Sequence, residues 1–301
     1  MQKFSGSRRN DFQWQRVLLP QDALNGKKFA IIGGTDGIGR ALAHTLTAKG
    51  AEVTVVGRTF RDDGIPRLHF MQADLAQMKQ ARRVAQELPA ETLDTLILTT
   101  GIFAGKERME SPEGIEIDLA VSYLSRFVIV REVAERLGKK RAVANLKPRV
   151  FIMAAPGIDP NGNLDDFNSE EHYSSMIAHL NTVIGNEALV LDGTSRYAQV
   201  NFYGLNPGTI KSNIRAGVLG AGSFAQTLIE WLIGALFQNA EEYSEKIVPL
   251  LVSTDIEKYS GAMFNRHGDP IHASRSLTQG GNLQKIIETS ERLAKKALGD
   301  E

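Results

Sequence analysis

Residues 28–39 read KFAIIGGTDGIG, and the fold is decided by how this stretch changes character at Gly33. Lys28–Ile32 is a short apolar run of strand character, and Gly37–Lys49 follows with helical periodicity and Gly50 at its end. Between them Gly33, Gly37 and Gly39 remove three Cβ atoms from a strand-to-helix turn. A backbone so stripped turns tightly and brings its N–H groups close to a pyrophosphate, with the positive end of the helix behind them. Three glycines alone also describe an ordinary tight turn. Their place directly after the first strand is what points to a dinucleotide.

Working outward, strands and helices alternate. Glu52–Val56 reads as a buried strand, Leu68–Met71 as a third, Gln77–Leu88 as a helix and Leu93–Leu98 as a fourth strand. Gly114–Leu137 is long and helical, Arg149–Met153 is a fifth strand, Ser169–Leu191 a helix and Ala198–Leu205 a sixth strand. Gly261–Phe264 reads as a seventh strand, and Gly280–Leu298 as a closing helix. This alternation predicts α/β architecture: one doubly wound parallel sheet with helices on both faces, and ligands beyond the carboxyl ends of the strands. Residues 27–301 are expected to form this one domain, with residues 1–26 as an N-terminal arm.

Composition narrows the partners. With 35 basic and 35 acidic side chains the net charge is zero, which argues against nucleic acid. Cysteine is absent, which excludes disulfides, thiolate metal sites and a cysteine nucleophile, and a reducing cytoplasm is the expected compartment. The six histidines form no metal-ligand spacing, so no metal is expected. The greasiest stretch, Phe224–Phe237, contains Gln226 and Glu230 and falls short of the roughly 20 residues that span a bilayer.

The second strand ends in Arg58, with Arg61 close behind. An acidic residue there would grip ribose hydroxyls, whereas an arginine suits a 2′-phosphate, so Arg58 points to NADP(H) over NAD(H). The competing reading is a solvated arginine.

Ile32-Gly33-Gly34-Thr35-Asp36-Gly37-Ile38-Gly39 resembles the TGxxxGIG loop of the short-chain dehydrogenase/reductase family, with Ile32 in place of threonine. Asp74-Leu75 resembles the family's adenine-contacting pair. Leu98-Thr99-Thr100-Gly101 stands for its NNAG, and Asn206-Pro207-Gly208-Thr209-Ile210-Lys211-Ser212 is similar to the segment that packs on nicotinamide. The likeness runs from about Lys27 to Leu298 and is nearest to retinol-dehydrogenase-like members. It implies a Rossmann-like fold, NADP(H) as cofactor, and a cofactor site built from Gly33, Thr35, Asp36, Gly37, Ile38, Gly39, Arg58, Asp74, Leu75, Thr100, Gly101, Pro207, Gly208, Ile210 and Ser212. The family's pairing of long central helices implies a homodimer or homotetramer.

In the family a tyrosine donates the proton during carbonyl reduction, a lysine four residues on lowers its pKa, a serine orients the carbonyl and an asparagine supports a relay water. This chain departs at each position. Val121–Phe127 matches the stretch that carries the asparagine, placing Ser122 there. Ala154 and Ala155 fall at the serines, Ser174 at the tyrosine and Ala178 at the lysine, and no lysine lies between His172 and Leu191. Tyr173 is adjacent to the tyrosine position, but a one-residue slip turns a helical side chain by about 100°. The substitutes are Tyr173, His179 and Ser175, the last two at i, i+4 on one helical face. Each is also readable as an ordinary structural residue, as Lys211 is readable as a surface lysine.

The apolar segment at about 212–240 resembles the family's substrate lid and implies an apolar small molecule; a subunit contact or a core helix explains it equally well. The expectation is therefore an NADP(H)-binding oxidoreductase with a non-standard acid/base arrangement. The alternatives are a non-redox enzyme on the same fold (a cyclase, isomerase or lyase) and an NADP-binding protein without catalysis.

Overall fold

β-Branched and aromatic residues dominate β1 (Lys28–Ile32), β2 (Glu52–Gly57), β4 (Thr95–Leu98), β5 (Arg149–Met153) and β6 (Asn201–Leu205), all but fully withdrawn from water. Only a sheet covered on both faces makes such runs stable, and that requires helices on each side. The computed structural model describes residues 6–142, 145–208, 239–279 and 281–300. In it the strands form one sheet in the order β3-β2-β1-β4-β5-β6-β7-β8, with β3 at Leu68–Gln72, β7 at Met263–Phe264 and β8 at Pro270–Ile271. All neighbours pair parallel except β8, which runs antiparallel to β7.

Alternate residues of each strand feed two cores. Phe29, Ile31, Val53, Val55, Ile97, Phe151 and Tyr203 face α1 (Gly37–Ala48) and a helix at Ala240–Val252, named α6 below. Ala30, Ile32, Leu96, Leu98, Val150 and Ile152 face the opposite layer. That layer holds α2 (Met78–Glu87), α3 (Ile117–Leu119), α4 (Ser125–Val133), α5 (Ser175–Arg196) and α8 (Asn282–Leu298), with a short α7 at Arg275–Thr278 before it. Each large apolar side chain so buried contributes about 1.5–3 kcal/mol. The winding direction reverses between β1 and β4, which opens a crevice above their carboxyl ends.

Two helices differ from expectation. The helix expected from Gly114 begins at Ile117, where Glu116 accepts from the Leu119 N–H, and it carries a π-turn at Ala120–Leu124 between α3 and α4. The helix expected from Ser169 begins at Ser175. Asp166 instead gathers the N–H groups of Glu170, Glu171 and His172, and Ser169 is left-handed at φ 51°, so residues 166–174 are a capped loop. The two-residue β8 and the helix α6 had no distinguishing pattern. Of the expected lid at 212–240, all but the last two residues lie outside the described residues.

The described part of the arm packs on the domain. Ser7 and Arg9 pair with the β8 edge, Phe12 stacks on Tyr259 at 3.9 Å between centroids, and the Trp14 indole donates to the Gly268 carbonyl.

The glycine loop offers a direct test of this packing. A Cβ on Gly39 would sit 2.2 Å from the Gly33 carbonyl oxygen, against backbone that has nowhere to move. One on Gly37 meets nothing within 4 Å and pays only for its left-handed φ of 51°. Urea unfolding should therefore show Gly39→Ala losing about 3 kcal/mol and Gly37→Ala about 1 kcal/mol. Equal losses would contradict the close approach of the loop to β1.

Candidate active site

The crevice between β1 and β4 is sealed at its base by backbone contact. A Cβ on Gly33 would lie 2.6 Å from the Thr100 nitrogen, and the Thr99 hydroxyl donates to the carbonyls of Ile32 and Gly33 at 3.0 and 3.1 Å. Gly33 and Gly39 are thus demanded by packing, while the empty space at Gly37 lies open above the N-terminus of α1. Asp36 caps that helix through the Gly37 N–H at 2.8 Å, and Arg61 pairs with the Asp36 carboxylate at 2.6 Å. Thr35 packs against Gly57, whose absent Cβ leaves room for the threonine side chain.

A nicotinamide dinucleotide fits these residues. The Thr100 hydroxyl oxygen is buried in the crevice with no hydrogen-bond partner among the described residues, a costly state for a polar group that a ligand would relieve. Gly37 leaves the cradle a phosphate needs. At the far end a cleft of roughly 510 Å³ is lined by Arg58, Gln72, Ala73, Asp74, Gln80 and Arg83. The Arg58 side chain is exposed there and makes no hydrogen bond or ion pair among the described residues, whereas Arg83 is committed to Glu87 and the Gln72 carbonyl. Asp74 accepts from the Ala76 N–H and the Gln77 amide, and Leu75 is buried beside it. The fold brings Gly33, Thr35, Asp36, Gly37, Ile38, Gly39, Arg58, Asp74, Leu75, Thr100 and Gly101 to one edge of the sheet. Pro207 and Gly208 follow β6 at the same edge, where the Asn206 side-chain oxygen accepts from the Gly208 N–H. Ile210, Lys211 and Ser212 lie outside the described residues.

The chemistry-bearing groups gather where α3 and α5 begin. Both helices run opposite to the strands, so their N-termini stand at the ligand edge. The π-turn carries Ser122 beside Ile102: the Ser122 oxygen accepts from the Ile102 N–H at 3.0 Å, and its hydroxyl donates to Asp118 Oδ1 at 2.5 Å. The other oxygen of Asp118 meets His179 Nδ1 at 2.9 Å. Asp118 is completely buried, while the His179 side chain retains 29% exposure. A carboxylate only accepts, so Nδ1 carries the hydrogen and Nε2 is left for other partners. The Phe103 ring lies 4.4 Å from the imidazole, centroid to centroid, and closes one side.

Tyr173 precedes α5 and does not share its register. Its hydroxyl donates to the Gly105 carbonyl at 2.8 Å. Burial raises its pKa, and the carboxylates of Glu116 and Asp118 push it further in the same direction. A lysine neighbour would do the opposite. Ser175 opens α5, half-buried, with no side-chain hydrogen bond. Ala178 is buried, directly before His179. Glu116, also buried, has its pKa raised by desolvation, and one of its oxygens has no partner.

Asp118 and Glu116 escape sequence reading because acidic residues at a helix start look like ordinary dipole complements. The available signal was spacing: Asp118 lies one turn before Ser122.

Comparison with known proteins bears on the family and the fold. Residues 27–145 match the short chain dehydrogenase family. The chain is 44% identical to the uncharacterised oxidoreductase YKL107W of Saccharomyces cerevisiae, over 95% of this chain and 93% of that protein. It is 26% identical to human retinol dehydrogenase 14, covering 80% of this chain and 78% of the relative. A short chain dehydrogenase from Shigella flexneri, solved with NADP, shares the fold at a TM-score of 0.59 and 15% identity, covering 82% of this chain and 99% of that one. The sheet order, the glycine turn and these similarities lead to one conclusion: the chain belongs to the short-chain dehydrogenase/reductase family, and it is an oxidoreductase of that family.

Proposed function

We propose that the chain is an NADP(H)-dependent reductase of an apolar carbonyl compound in which His179, held by Asp118, delivers the proton. The observation that carries this reading is the pairing of buried Asp118 with part-exposed His179 at the ligand edge. The family resemblance puts Ala178 and Ser174 where lysine and tyrosine belong, so the usual donor is replaced.

The reduced cofactor, when bound, supplies a hydride to the carbonyl carbon. The alkoxide that forms needs a proton at its oxygen, and His179 presents Nε2 as the donor. Asp118 fixes the ring through Nδ1 and stabilises the imidazolium before transfer, the orienting role a carboxylate plays towards a catalytic histidine. Ser122 holds the second carboxylate oxygen, so Asp118 cannot rotate away. Phe103 keeps one side of the imidazole dry.

Two further features support the reading. Arg58 is a cation unpaired among the described residues, in the cleft where an adenosine 2′-phosphate would lie, which favours NADP(H). Met109 and Met176 are exposed at 59% and 55%, on the two segments that the Tyr173–Gly105 bond ties together. Exposed methionines suit an adaptable apolar ligand, and retinol dehydrogenase 14 is named for one.

NADPH consumption against long-chain aldehydes, prenyl-type aldehydes and aryl ketones tests the activity. His179→Ala should lower kcat about 100-fold or more, and Asp118→Asn about 10-fold to 100-fold. Tyr173→Phe should stay within a factor of about three, because its hydroxyl serves a backbone carbonyl; a small effect is typical of such neutral bonds. A His179→Ala variant with unchanged kcat, or a dead Tyr173→Phe, would overturn the assignment of the donor.

Cofactor choice has its own test. Arg58→Ala should weaken NADPH roughly 10-fold to 100-fold, the worth of a charge-assisted phosphate contact, and leave NADH binding unaltered. Equal weakening of both would remove Arg58 from phosphate recognition.

A further inference from the structure

One cation in the ligand half of the molecule has no place in the scheme above. Arg126, the second residue of α4, is 3% exposed in an otherwise apolar run, Phe127-Val128-Ile129-Val130. Such burial is costly for a charge without a carboxylate in contact. Its Nη1 donates to the Met153 carbonyl at 2.6 Å and to Asn186 Oδ1 at 2.9 Å, and its Nη2 donates to the Thr100 carbonyl. Its Nε has no partner. The acceptors are the ends of β4 and β5 and one amide of α5, the elements that frame the ligand edge.

The guanidinium therefore lies directly beneath Gly101: a Cβ there would be 3.7 Å from Nη2 and 3.7 Å from the Ser122 hydroxyl. Carbonyl dipoles meet its Nη1 and Nη2 groups without cancelling its charge. Burial draws the Arg126 pKa down to about 9, and among the described residues the Asp118 carboxylate acts on it in the opposite sense. A net positive charge is thus fixed in the low-dielectric floor of the crevice, at the strand ends beside Gly101.

We infer that Arg126 is a positioning residue whose buried charge makes the site prefer reduced over oxidised cofactor. The nicotinamide ring of NADP+ is cationic and that of NADPH is neutral, while the rest of the two molecules is the same. A cation close to a bound nicotinamide would oppose only the oxidised form, so it would favour NADPH binding and NADP+ release and bias the protein towards reduction. Asp118 acts in the opposite sense. This inference rests on the NADP(H) reading and goes beyond it, because it concerns the direction of the reaction.

The test is the ratio of Kd for NADP+ to Kd for NADPH, measured calorimetrically on the full chain without substrate. The wild type should favour NADPH. Arg126→Met should reduce the ratio about tenfold, the scale of one charge acting through a protein interior. Arg126→Lys should keep it within about threefold, and Asp118→Asn should raise it. A tie that merely held β4 to β5 would weaken both forms alike and leave the ratio unmoved. An unchanged ratio in Arg126→Met overturns the inference while leaving the cofactor reading intact; should that variant not fold, an unchanged or lowered ratio in Asp118→Asn does the same. Failure of the wild type to bind either form overturns the cofactor reading itself.

Discussion

The arrangement at the ligand edge depends on the burial of one carboxylate. Asp118 has no exposed surface, and a carboxylate removed from water must find donors or neutralise. It finds the Ser122 hydroxyl within its own helix and the His179 ring across the helix interface. Those bonds fix the lateral position of α3 against α5 and set the tautomer of the imidazole. Burial raises the pKa of the neighbouring Tyr173, and the carboxylates of Glu116 and Asp118 add to that rise. The resemblance implies a tyrosine made acidic by a lysine. Here the electrostatics run the other way, with the acidic group buried and the histidine left at the surface.

Around this pair the fold does two separate jobs. The crevice at β1 and β4 is shaped by absent atoms: Gly33 and Gly39 let backbone touch backbone, and Thr100 is left with an unmet hydroxyl. The neighbouring floor at β4 and β5 is shaped by a buried cation, Arg126, that bonds both strand ends. The first leaves the strand ends open to close approach by a ligand. The second places a positive charge in the floor beside them. Asp118 links the two, since it opposes Arg126 and orients His179.

Much of this was legible in the residues. The glycine turn and the apolar strands are dictated by sterics and burial that act over a few residues, so Gly33, Gly39 and the succession of the central strands along the chain could be read directly. The start of α5 could not, because residues 169–174 have helical composition and are diverted by the Asp166 carboxylate. That diversion removes Tyr173 from the helical register on which its candidacy rested. His179 was legible as a candidate by its spacing from Ser175, yet its partner was not, since Asp118 meets it only across two helices. Arg126 was passed over for the same reason: its acceptors are carbonyls 26 and 27 residues away in the chain. A lone arginine among Tyr123, Leu124, Phe127 and Val128 was nonetheless a visible anomaly.

The central claim is that His179 faces the reacting carbon in place of the missing tyrosine. A crystal structure of the chain with bound NADP+ tests it most directly. The account predicts His179 Nε2 within about 6 Å of nicotinamide C4, with room between them for a carbonyl group, and no other protonatable side chain nearer. A nicotinamide ring that turns its C4 away from His179, or that meets Tyr173 first, would contradict it.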